Sequence, residues 1–250
     1  MIVCRFLNQG RANHGIIKDG YVSLIEGDLF GRWKETDRTF PLEKVSLLPP
    51  VLPGKIIAVG VNYKDHASEM NHHLPKNPII FMKPGTSVIG PYQSIDLPAM
   101  SSRVDYEAEL AVVIKKECKD VCIHTAHDYI LGATCFNDVT ARDLQQIDGQ
   151  WTRAKSFDTF SPIGPWIQTE VEYNACDIRL ILNGRVMQQS NTSNLIFNVE
   201  HLISFISQVM TLYPGDVVAT GTPSGIGPLK SGDMVQVQIE GIGTLTNYVK

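Results

Sequence analysis

The sequence lacks several features that would assign it to a protein class at once. Its apolar runs are short and interrupted, so no transmembrane helix is expected in the 250 residues. The first residues, MIVCRFLNQGRANHG, do not follow the basic, apolar and small-residue order of a signal peptide. An excess of one charge is also missing, because 22 basic and 26 acidic residues give a net charge of −4. That balance argues against nucleic acid as a partner.

Cysteine is scarce, and its spacing assigns no site. The five cysteines are an odd number in a chain that is not small, which argues against a disulfide framework. Cys118 and Cys122 lie four residues apart, but no second pair of cysteine or histidine residues completes a zinc site. We therefore expect a reduced, cytoplasmic protein that does not bind a membrane.

The composition itself, with 43% hydrophobic and 19% charged residues, is that of an ordinary globular chain. The first 50 residues contain short strand-like segments separated by glycine and polar turns. Three prolines within 48–54 favour an extended connector at the end of this N-terminal segment. We predict a small N-terminal β domain at residues 1–50 and a main domain at residues 51–250.

The main domain reads as mainly β with some α (α+β). Strands are predicted around 55–63, 79–84, 106–116, 127–138 and in the last third of the chain. The Asn183-Gly184 pair lies between alternating apolar residues and predicts a hairpin. Residues 140–147 are helix-like, and residues 64–73 form a short helix or a loop. The clearest amphipathic helix is at 199–212, with one face formed by Leu202, Phe205, Ile206 and Val209.

Two acidic residues in the segment VDYEAELAVVI carry the strongest chemical signal. In a strand, Glu107 and Glu109 point to the same face, and the residues after them are apolar on both faces. Neighbouring carboxylates at the mouth of a buried strand repel each other and lose hydration, which a bound divalent cation would relieve. The alternative is an edge strand on which both carboxylates face water.

A third carboxylate, Asp138, ends the apolar strand YILGATCFN where the chain turns into TARDLQQI. A strand end is a common position for a ligand, although a lone aspartate before a helix is more often its N-cap, which is the alternative for Asp138. Three carboxylates without histidine or cysteine would suit Mg²⁺, Mn²⁺ or Ca²⁺ better than zinc.

Other polar residues are candidates for acid–base chemistry or substrate binding. His66 and Glu69 meet if their segment is helical, and such a pair activates water at neutral pH; a solvated helix face is the alternative. Arg142 and Gln145 share a face of the helix after Asp138, and Lys155 lies in an extended stretch; each alone is typical of a surface residue. The glycine-rich run around Thr222 is either a ligand-binding turn or a plain loop.

Six segments together resemble the fumarylacetoacetate hydrolase family. They occur in the family's order over roughly residues 55–245, and they are IIAVGVNYKDHASEM, PIIFMKPGTSVIGP, VDYEAELAVVI, CFNDVTARDLQ, QWTRAKSFDTFSPIGPWI and GDVVATGTPSGIGP. The first 50 residues resemble, more weakly, the small variable β domain of bacterial members. The resemblance implies a mixed β-roll or barrel-like domain and a homodimer.

The resemblance also implies roles for individual residues. It implies a Mg²⁺ or Mn²⁺ ion held by Glu107, Glu109 and Asp138. It implies a catalytic pair on a lid, His66 and Glu69, and a catalytic lysine, Lys155. The substrate contacts that it implies are Arg142, Gln145, Thr222, Tyr63 and Lys83.

The residues and the resemblance agree on a hypothesis for the reaction. The substrate would be an acylpyruvate or a related 2-oxo acid or dicarboxylate, and hydrolysis of a carbon–carbon bond would release pyruvate as its enolate. The same site would serve decarboxylation of oxaloacetate, or isomerisation and decarboxylation of 2-hydroxyhepta-2,4-diene-1,7-dioate. A non-catalytic dicarboxylate-binding protein and a structural β protein without metal are the alternatives from other classes.

Overall fold

The computed structural model describes residues 1–64 and 74–250, and it confirms a mostly β chain with few helices. The predicted helix or loop at 64–73 lies almost entirely outside the described residues, as do His66, Glu69, His72 and His73. Within the described ranges, none of the helices combines the length and the hydropathy needed to cross a bilayer.

The strands of the first half are β1 (Ile2–Asn8), β2 (Arg11–Lys18), β3 (Tyr21–Gly27), β4 (Trp33–Pro41), β5 (Ser46–Leu48), β6 (Ile56–Gly60), β7 (Ile79–Lys83), β8 (Val88–Ile89), β9 (Ser94–Ile95), β10 (Val104–Tyr106) and β11 (Ala108–Ile114). Those of the second half are β12 (Ile130–Asn137), β13 (Thr140–Ala141), β14 (Ser161–Gln168), β15 (Asp177–Leu182), β16 (Arg185–Asn191), β17 (Val217–Ala219), β18 (Gly227–Pro228), β19 (Met234–Ile239) and β20 (Gly243–Val249). The α-helices bounded within the described residues are α1 (Arg142–Asp148), α2 (Thr152–Lys155) and α3 (Val199–Val209). Short 3₁₀ helices are found at Leu42–Lys44, Gly85–Ser87, Ile123–Tyr129 and Thr192–Asn194.

Three sheets organise these strands. The large sheet has the order β4-β3-β2-β1-β14-β12-β11-β17-β6-β7, with β5 beside β1 and β8 beside β14. A second sheet has the order β16-β15-β19-β20-β9, and a small one joins β13, β10 and β18. Strands β11 and β12 of the large sheet contact β15, β19 and β20 of the second sheet. The two sheets therefore pack face to face, and β11 lies at the centre of the fold.

Strand β11 is buried on both faces, as its continuous apolar sequence predicts. One face, with Leu110 and Val112, belongs to the core between the two sheets. The other face, with Ala111 and Val113, belongs to a core shared with β6, β14 and the N-terminal strands. A polar side chain at the start of this strand is therefore held by packing on all sides.

The N-terminal strands have a small core of their own, formed by Cys4, Phe6, Val22 and Leu24. They also continue the large sheet, because β1 pairs with β14 at Ile2 and Val3. Strand β4 was not predicted from the sequence, since its residues are largely exposed and polar and show no apolar alternation. The division into domains at residue 50 stays a prediction.

The structure tests two local predictions, the hairpin at Asn183-Gly184 and the amphipathic helix. The hairpin is confirmed: Asn183 and Gly184 both have positive φ between β15 and β16, which suits their residue types. The helix is confirmed as α3, and the Asn198 side chain caps it by accepting the N–H of His201. Its predicted buried face is partly wrong, because Val209 is 56% exposed. The face that is buried lies around Leu202, Ile203 and Ile206.

Burial separates the five free cysteines into one accessible thiol and four protected ones. Cys122 is exposed, whereas burial raises the pKa of both Cys4 and Cys135 to about 12, and Cys118 and Cys176 are buried too. We expect a thiol reagent to label Cys122 alone quickly in the native protein, because the thiolate is the reacting form. Mass spectrometry of the labelled protein checks this, with urea-unfolded protein as the control in which all five react. Fast native labelling of Cys135 would contradict the packing described here.

Candidate metal centre

Strands β10 and β11 are separated at Glu107, where the chain passes from the small sheet to the large one. The expected single strand over this segment is therefore wrong. The backbone N–H groups freed at the break are bound by side chains: that of Glu107 donates to Asn137 Oδ1 at 2.9 Å, and that of Ala108 donates to Gln188 Oε1 at 2.9 Å. These bonds fix the direction in which the Glu107 side chain leaves the backbone.

Three buried carboxylates meet at this break. Carboxylate oxygens of Glu107, Glu109 and Asp138 all lie within 4.8 Å of one another. Asp138 directly follows β12, the antiparallel neighbour of β11, and its N–H donates to the Glu107 carbonyl at 2.9 Å. The exposed-edge interpretation is wrong because all three residues are buried. Asp138 does not cap a helix either, since the residue at the start of α1 is Ala141.

Three buried cations surround the carboxylates. Lys155 Nζ donates to Glu107 Oε2 at 2.8 Å and to Asp138 Oδ2 at 2.6 Å. Lys83 Nζ donates to the other oxygen of Asp138 at 2.6 Å and to the Val139 carbonyl at 3.2 Å. The Arg142 guanidinium binds the second oxygen of Glu107. The interpretation of Arg142 and Lys155 as surface residues is therefore wrong.

Short helices deliver two of these cations. Lys155 ends α2, rather than lying in an extended stretch as expected, and its N–H donates to the Trp151 carbonyl at 3.0 Å. Arg142 begins α1, and its N–H donates to the Arg103 carbonyl at 2.8 Å. Each helix is too short to be stable alone, so tertiary contacts set the position of its charged side chain.

The acidic groups differ in charge because their partners differ. Burial alone would raise the pKa of Glu107, but the charges of Lys155 and Arg142 outweigh it and lower that pKa to about 2. Glu109 has no such cation at contact distance among the residues that the structure describes; the Gly221 N–H donates to its Oε2 at 2.8 Å. Burial, and then the negative charges of Asp138 and Glu107, raise the pKa of Glu109 well above its ordinary value. Within residues 1–64 and 74–250, Glu109 is thus the carboxyl of the cluster that lacks a cation in direct contact.

A cavity of about 280 Å³ opens onto the carboxylates. Its polar wall comprises the three acidic residues together with Arg142, Gln145, Lys155 and Thr222. Its other wall is formed by residues 59–61, Phe81, Gln146 and Trp151. The cavity is large enough for a small organic acid but too polar on one side for an apolar ligand.

Aromatic rings define the apolar wall. Phe81 and Trp151 pack edge to face with centroids 5.1 Å apart, and Lys155 Nζ lies 5.0 Å from the Phe81 ring centroid. Gly60 leaves room for the indole, because a Cβ atom at that position would lie 2.5 Å from the Trp151 ring. The glycine therefore permits the ring to stand directly against the strand end.

The structure brings most of the sequence-derived site residues together, with exceptions. Thr222 lines the cavity, and its hydroxyl accepts a hydrogen bond from Gln188 Nε2 at 2.9 Å. Tyr63 and Lys83 are fully buried and are not among the described residues that line the cavity. Lys83 contacts Asp138 from behind, so its geometry is that of a group supporting the carboxylate. His66 and Glu69 lie outside the described residues.

Sequence reasoning missed several residues of the site. Asp105 is buried beside Arg142, and its position two residues before Glu107 was a signal that the strand alternation offered. Phe81 and Trp151 belong to segments used for the resemblance, but nothing in their spacing indicates that they meet. Gln188 is distant in the sequence, and its contact with Ala108 gives no local signal.

Family models match the whole main part of the chain. The model described as fumarylacetoacetate (FAA) hydrolase, C-terminal, matches residues 55–250, and the model described as Rv2993c-like, N-terminal, matches residues 1–50. The chain belongs to the fumarylacetoacetate hydrolase family, whose members are enzymes.

Similar proteins span several activities. The mitochondrial oxaloacetate tautomerase Fahd2a of Rattus norvegicus is 45% identical over 221 residues, covering 84% of this chain and 71% of its own. The crystal structure of 2-hydroxyhepta-2,4-diene-1,7-dioate isomerase from Mycobacterium marinum is 45% identical with a TM-score of 0.93, covering 100% and 98% of the two chains. Maleylpyruvate hydrolase from Sphingobium sp. SYK-6, in complex with manganese(II) and pyruvate, is 31% identical with a TM-score of 0.84 at 100% and 98% coverage.

The carboxylate cluster suits a hard divalent cation. Its oxygen atoms are close enough to share one ion, and Glu109 needs a positive partner that no described side chain provides at contact distance. Mg²⁺ and Mn²⁺ both fit such a donor set, and a similar structure holds manganese.

Binding of Mn²⁺ is expected to depend on Glu109. Saturating Mn²⁺ should raise the midpoint of thermal unfolding, since a ligand at 100 times its Kd stabilises by about 2.7 kcal/mol. Glu109→Gln should abolish most of this shift, whereas the control Glu117→Gln, on the exposed segment after β11, should keep it. Calorimetric titration gives the affinities. Equal Mn²⁺ binding by the Glu109 variant and the wild type would exclude this cluster as the metal site.

The raised pKa of Glu109 predicts a pH dependence of the metal-free protein. In the folded state Glu109 keeps a proton above its ordinary pKa of 4.5, which the unfolded chain has released. The folded state then binds more protons, so the free energy of unfolding falls as the pH rises above 4.5. Glu107, with its pKa at about 2, acts in the other direction and only below 4.5. Urea unfolding in EDTA should therefore show a smaller decline above pH 4.5 in Glu109→Gln, and equal slopes would refute the assignment.

Proposed function

We propose that this protein is a divalent-metal-dependent enzyme that acts on a small 2-oxo acid by stabilising its enolate. The carrying observation is the buried cluster of Glu107, Glu109 and Asp138, which opens to a cavity that also presents Lys155 and Arg142. A cavity with anionic metal ligands on its floor and fixed cations on its wall favours a ligand that is itself anionic.

The residues divide the work by their positions. A Mg²⁺ or Mn²⁺ ion held by the three carboxylates would supply Lewis-acid stabilisation of negative oxygen. Beyond its hydrogen bonds to described residues, Arg142 keeps N–H groups for a substrate carboxylate, and Gln145 and Thr222 also line the cavity. Lys155 is held as an ammonium group, because Asp138 and Glu107 outweigh the effect of its burial and raise its pKa. Its fixed positive charge stabilises the developing enolate.

Keto–enol tautomerisation of oxaloacetate is the first candidate reaction. It moves one proton between C3 and the carbonyl oxygen, so charge stabilisation at the enolate oxygen and one proton-transferring group suffice. The centre formed by the described residues provides that stabilisation. The similarity to an oxaloacetate tautomerase at 45% identity supports the same choice. His66, oriented by Glu69, is the predicted proton-transferring group.

Hydrolysis of acylpyruvates is the second candidate. Here water adds to the distal carbonyl, the carbon–carbon bond breaks, and the products are a carboxylic acid and pyruvate. The reaction needs a base that activates water, a role that the family resemblance implies for His66 and Glu69. The similarity to a maleylpyruvate hydrolase with bound manganese and pyruvate supports it. Oxaloacetate decarboxylation and dioate isomerisation would use the same enolate stabilisation.

One set of assays distinguishes these candidates. Oxaloacetate is supplied as its enol, and its conversion to the keto form is followed by the loss of enol absorbance with Mn²⁺ and with EDTA. Pyruvate release from oxaloacetate and from acetylpyruvate is measured in parallel. We expect metal-dependent conversion of the enol, and a decrease in kcat of about 10²–10³-fold in Lys155→Met, because one preorganised charge is removed. The exposed control Lys115→Met should keep full activity.

Each outcome assigns a reaction. Enol conversion without pyruvate release identifies a tautomerase. Pyruvate from acetylpyruvate, lost in His66→Ala, identifies a hydrolase, and pyruvate from oxaloacetate alone identifies a decarboxylase. Ligand binding without turnover of either compound would contradict the proposal and favour the binding protein. The predicted homodimer and the cytoplasmic location are not needed for any of these results.

A further inference from the structure

Asp105 is a buried carboxylate beside the site that is not one of the three proposed metal ligands. Asp105 belongs to β10 and is completely inaccessible to solvent. Its side chain joins two arginines: Arg103 donates from Nε to Oδ1 at 2.9 Å and from a terminal nitrogen to Oδ2 at 3.2 Å. Arg142 donates from Nε to Oδ2 at 2.9 Å. Asp105 therefore connects the half-exposed Arg103 with the buried Arg142 of the cavity wall.

The contacts of Arg142 leave part of its guanidinium available. Its Nε is bound by Asp105, one terminal nitrogen by Glu107, and the other by Gln145 Oε1 at 2.6 Å. A guanidinium has five N–H groups, so two N–H groups remain beyond these three hydrogen bonds within the described chain. Because the guanidinium is planar and rigid, anchoring Nε fixes the direction of the remaining N–H groups.

We propose that Asp105 is a positioning residue that holds Arg142 for recognition of the substrate's carboxylate. The inference rests on the proposed function, since it assumes that Arg142 binds a carboxylate beside the metal. Glu107 alone would not serve as the anchor, because it is also shared with Lys155 and is a proposed metal ligand. Asp105 provides an anchor that stays in place whether or not a metal is bound.

The second arginine explains why Asp105 does not neutralise the site. A lone buried carboxylate beside Arg142 would cancel its charge and weaken its attraction for an anion. Arg103 also pairs with Asp105, from the outer side. The single negative charge of Asp105 therefore compensates only one of the two arginine charges. The arrangement thus orients Arg142 and keeps it electrostatically attractive toward a carboxylate.

The test measures metal binding and anion binding separately. Oxalate, a small dicarboxylate that resembles the enolate of pyruvate, is titrated calorimetrically into the Mn²⁺-loaded protein, and Mn²⁺ is titrated into the metal-free protein. We expect Asp105→Asn to weaken oxalate binding about tenfold, the size of one lost hydrogen bond to a charged group, with Mn²⁺ affinity little changed. With oxaloacetate as substrate, KM should rise more than kcat falls.

A matched control separates positioning from stability. Asp216 is also a buried carboxylate in an ion pair, with Lys55, but it lies at the start of β17 and does not line the cavity. Asp216→Asn should lower the midpoint of thermal unfolding while leaving oxalate affinity unchanged. If Asp216→Asn weakened oxalate binding as much as Asp105→Asn, the effect would be one of general stability and the proposal would be overturned.

A double-mutant cycle tests whether Asp105 acts through Arg142. In an Arg142→Gln background, the further change Asp105→Asn should not weaken oxalate binding again. If Asp105→Asn alone fails to fold, the double variant still allows the test. It replaces Arg142 as well, so no unpaired buried cation is left at this position. A further loss in the double variant would overturn the proposal.

Failure of the proposed function gives a different pattern. If Mn²⁺-loaded wild type did not bind oxalate, the anion-binding assignment would fail and the role of Asp105 with it. If Arg142→Gln weakened oxalate binding but Asp105→Asn did not, the proposed function would stand and only the positioning role would be overturned.

Discussion

The ammonium group of Lys155 lies between the carboxylates of Glu107 and Asp138, and the rest of the site depends on this contact. Burying an ion without a partner costs several kcal/mol, so carboxylates collect here only because cations are buried with them. The ion pairs of this network join Asp105, Glu107 and Asp138 with Lys83, Arg142, Lys155 and the half-exposed Arg103, and Glu109 lies beside them without such a pair among the described residues. A divalent ion bound at the carboxylates would add positive charge to this network. Under the proposed function, an anionic substrate would offset that charge, which would link metal binding to the choice of an organic acid.

The fold makes such a network possible by fixing each charged group from a rigid element. Glu109 belongs to β11, which is packed on both faces, and Asp138 follows directly on the neighbouring β12. The break at Glu107 would leave two buried N–H groups unsatisfied, and the side chains of Asn137 and Gln188 bind both. Gln188 also donates to Thr222, so the strand break and the glycine-rich turn are held by one side chain. Preorganisation of this kind lets the cavity stabilise charge without rearranging.

The two walls of the cavity have separate tasks in the chemistry proposed here. The polar wall offers fixed positive charge. In the proposed chemistry, that charge would bind only one end of a 2-oxo acid, the end that carries the carboxylate and the 2-oxo group. The apolar wall contains Phe81 and Trp151, whose rings pack edge to face, and the indole stands against Gly60. Under the proposed function, the polar wall would stabilise the enolate, and the apolar wall would contact the rest of the substrate and distinguish substrates of different length.

The sequence by itself determined the β-rich class, the hairpin at Asn183-Gly184 and the helix around Leu202, and it offered Glu107, Glu109 and Asp138 as candidate metal ligands. Those features follow from local periodicity and from residue chemistry, which are readable without knowing the neighbours. Only the tertiary structure decided that Glu107 occupies a strand break, that Lys83 supports Asp138, that Asp105 anchors Arg142 and that Trp151 stands against Gly60. These contacts join residues that are distant in the chain or depend on side-chain direction. Their energies arise from burial and charge pairing that exist only once the sheets have packed.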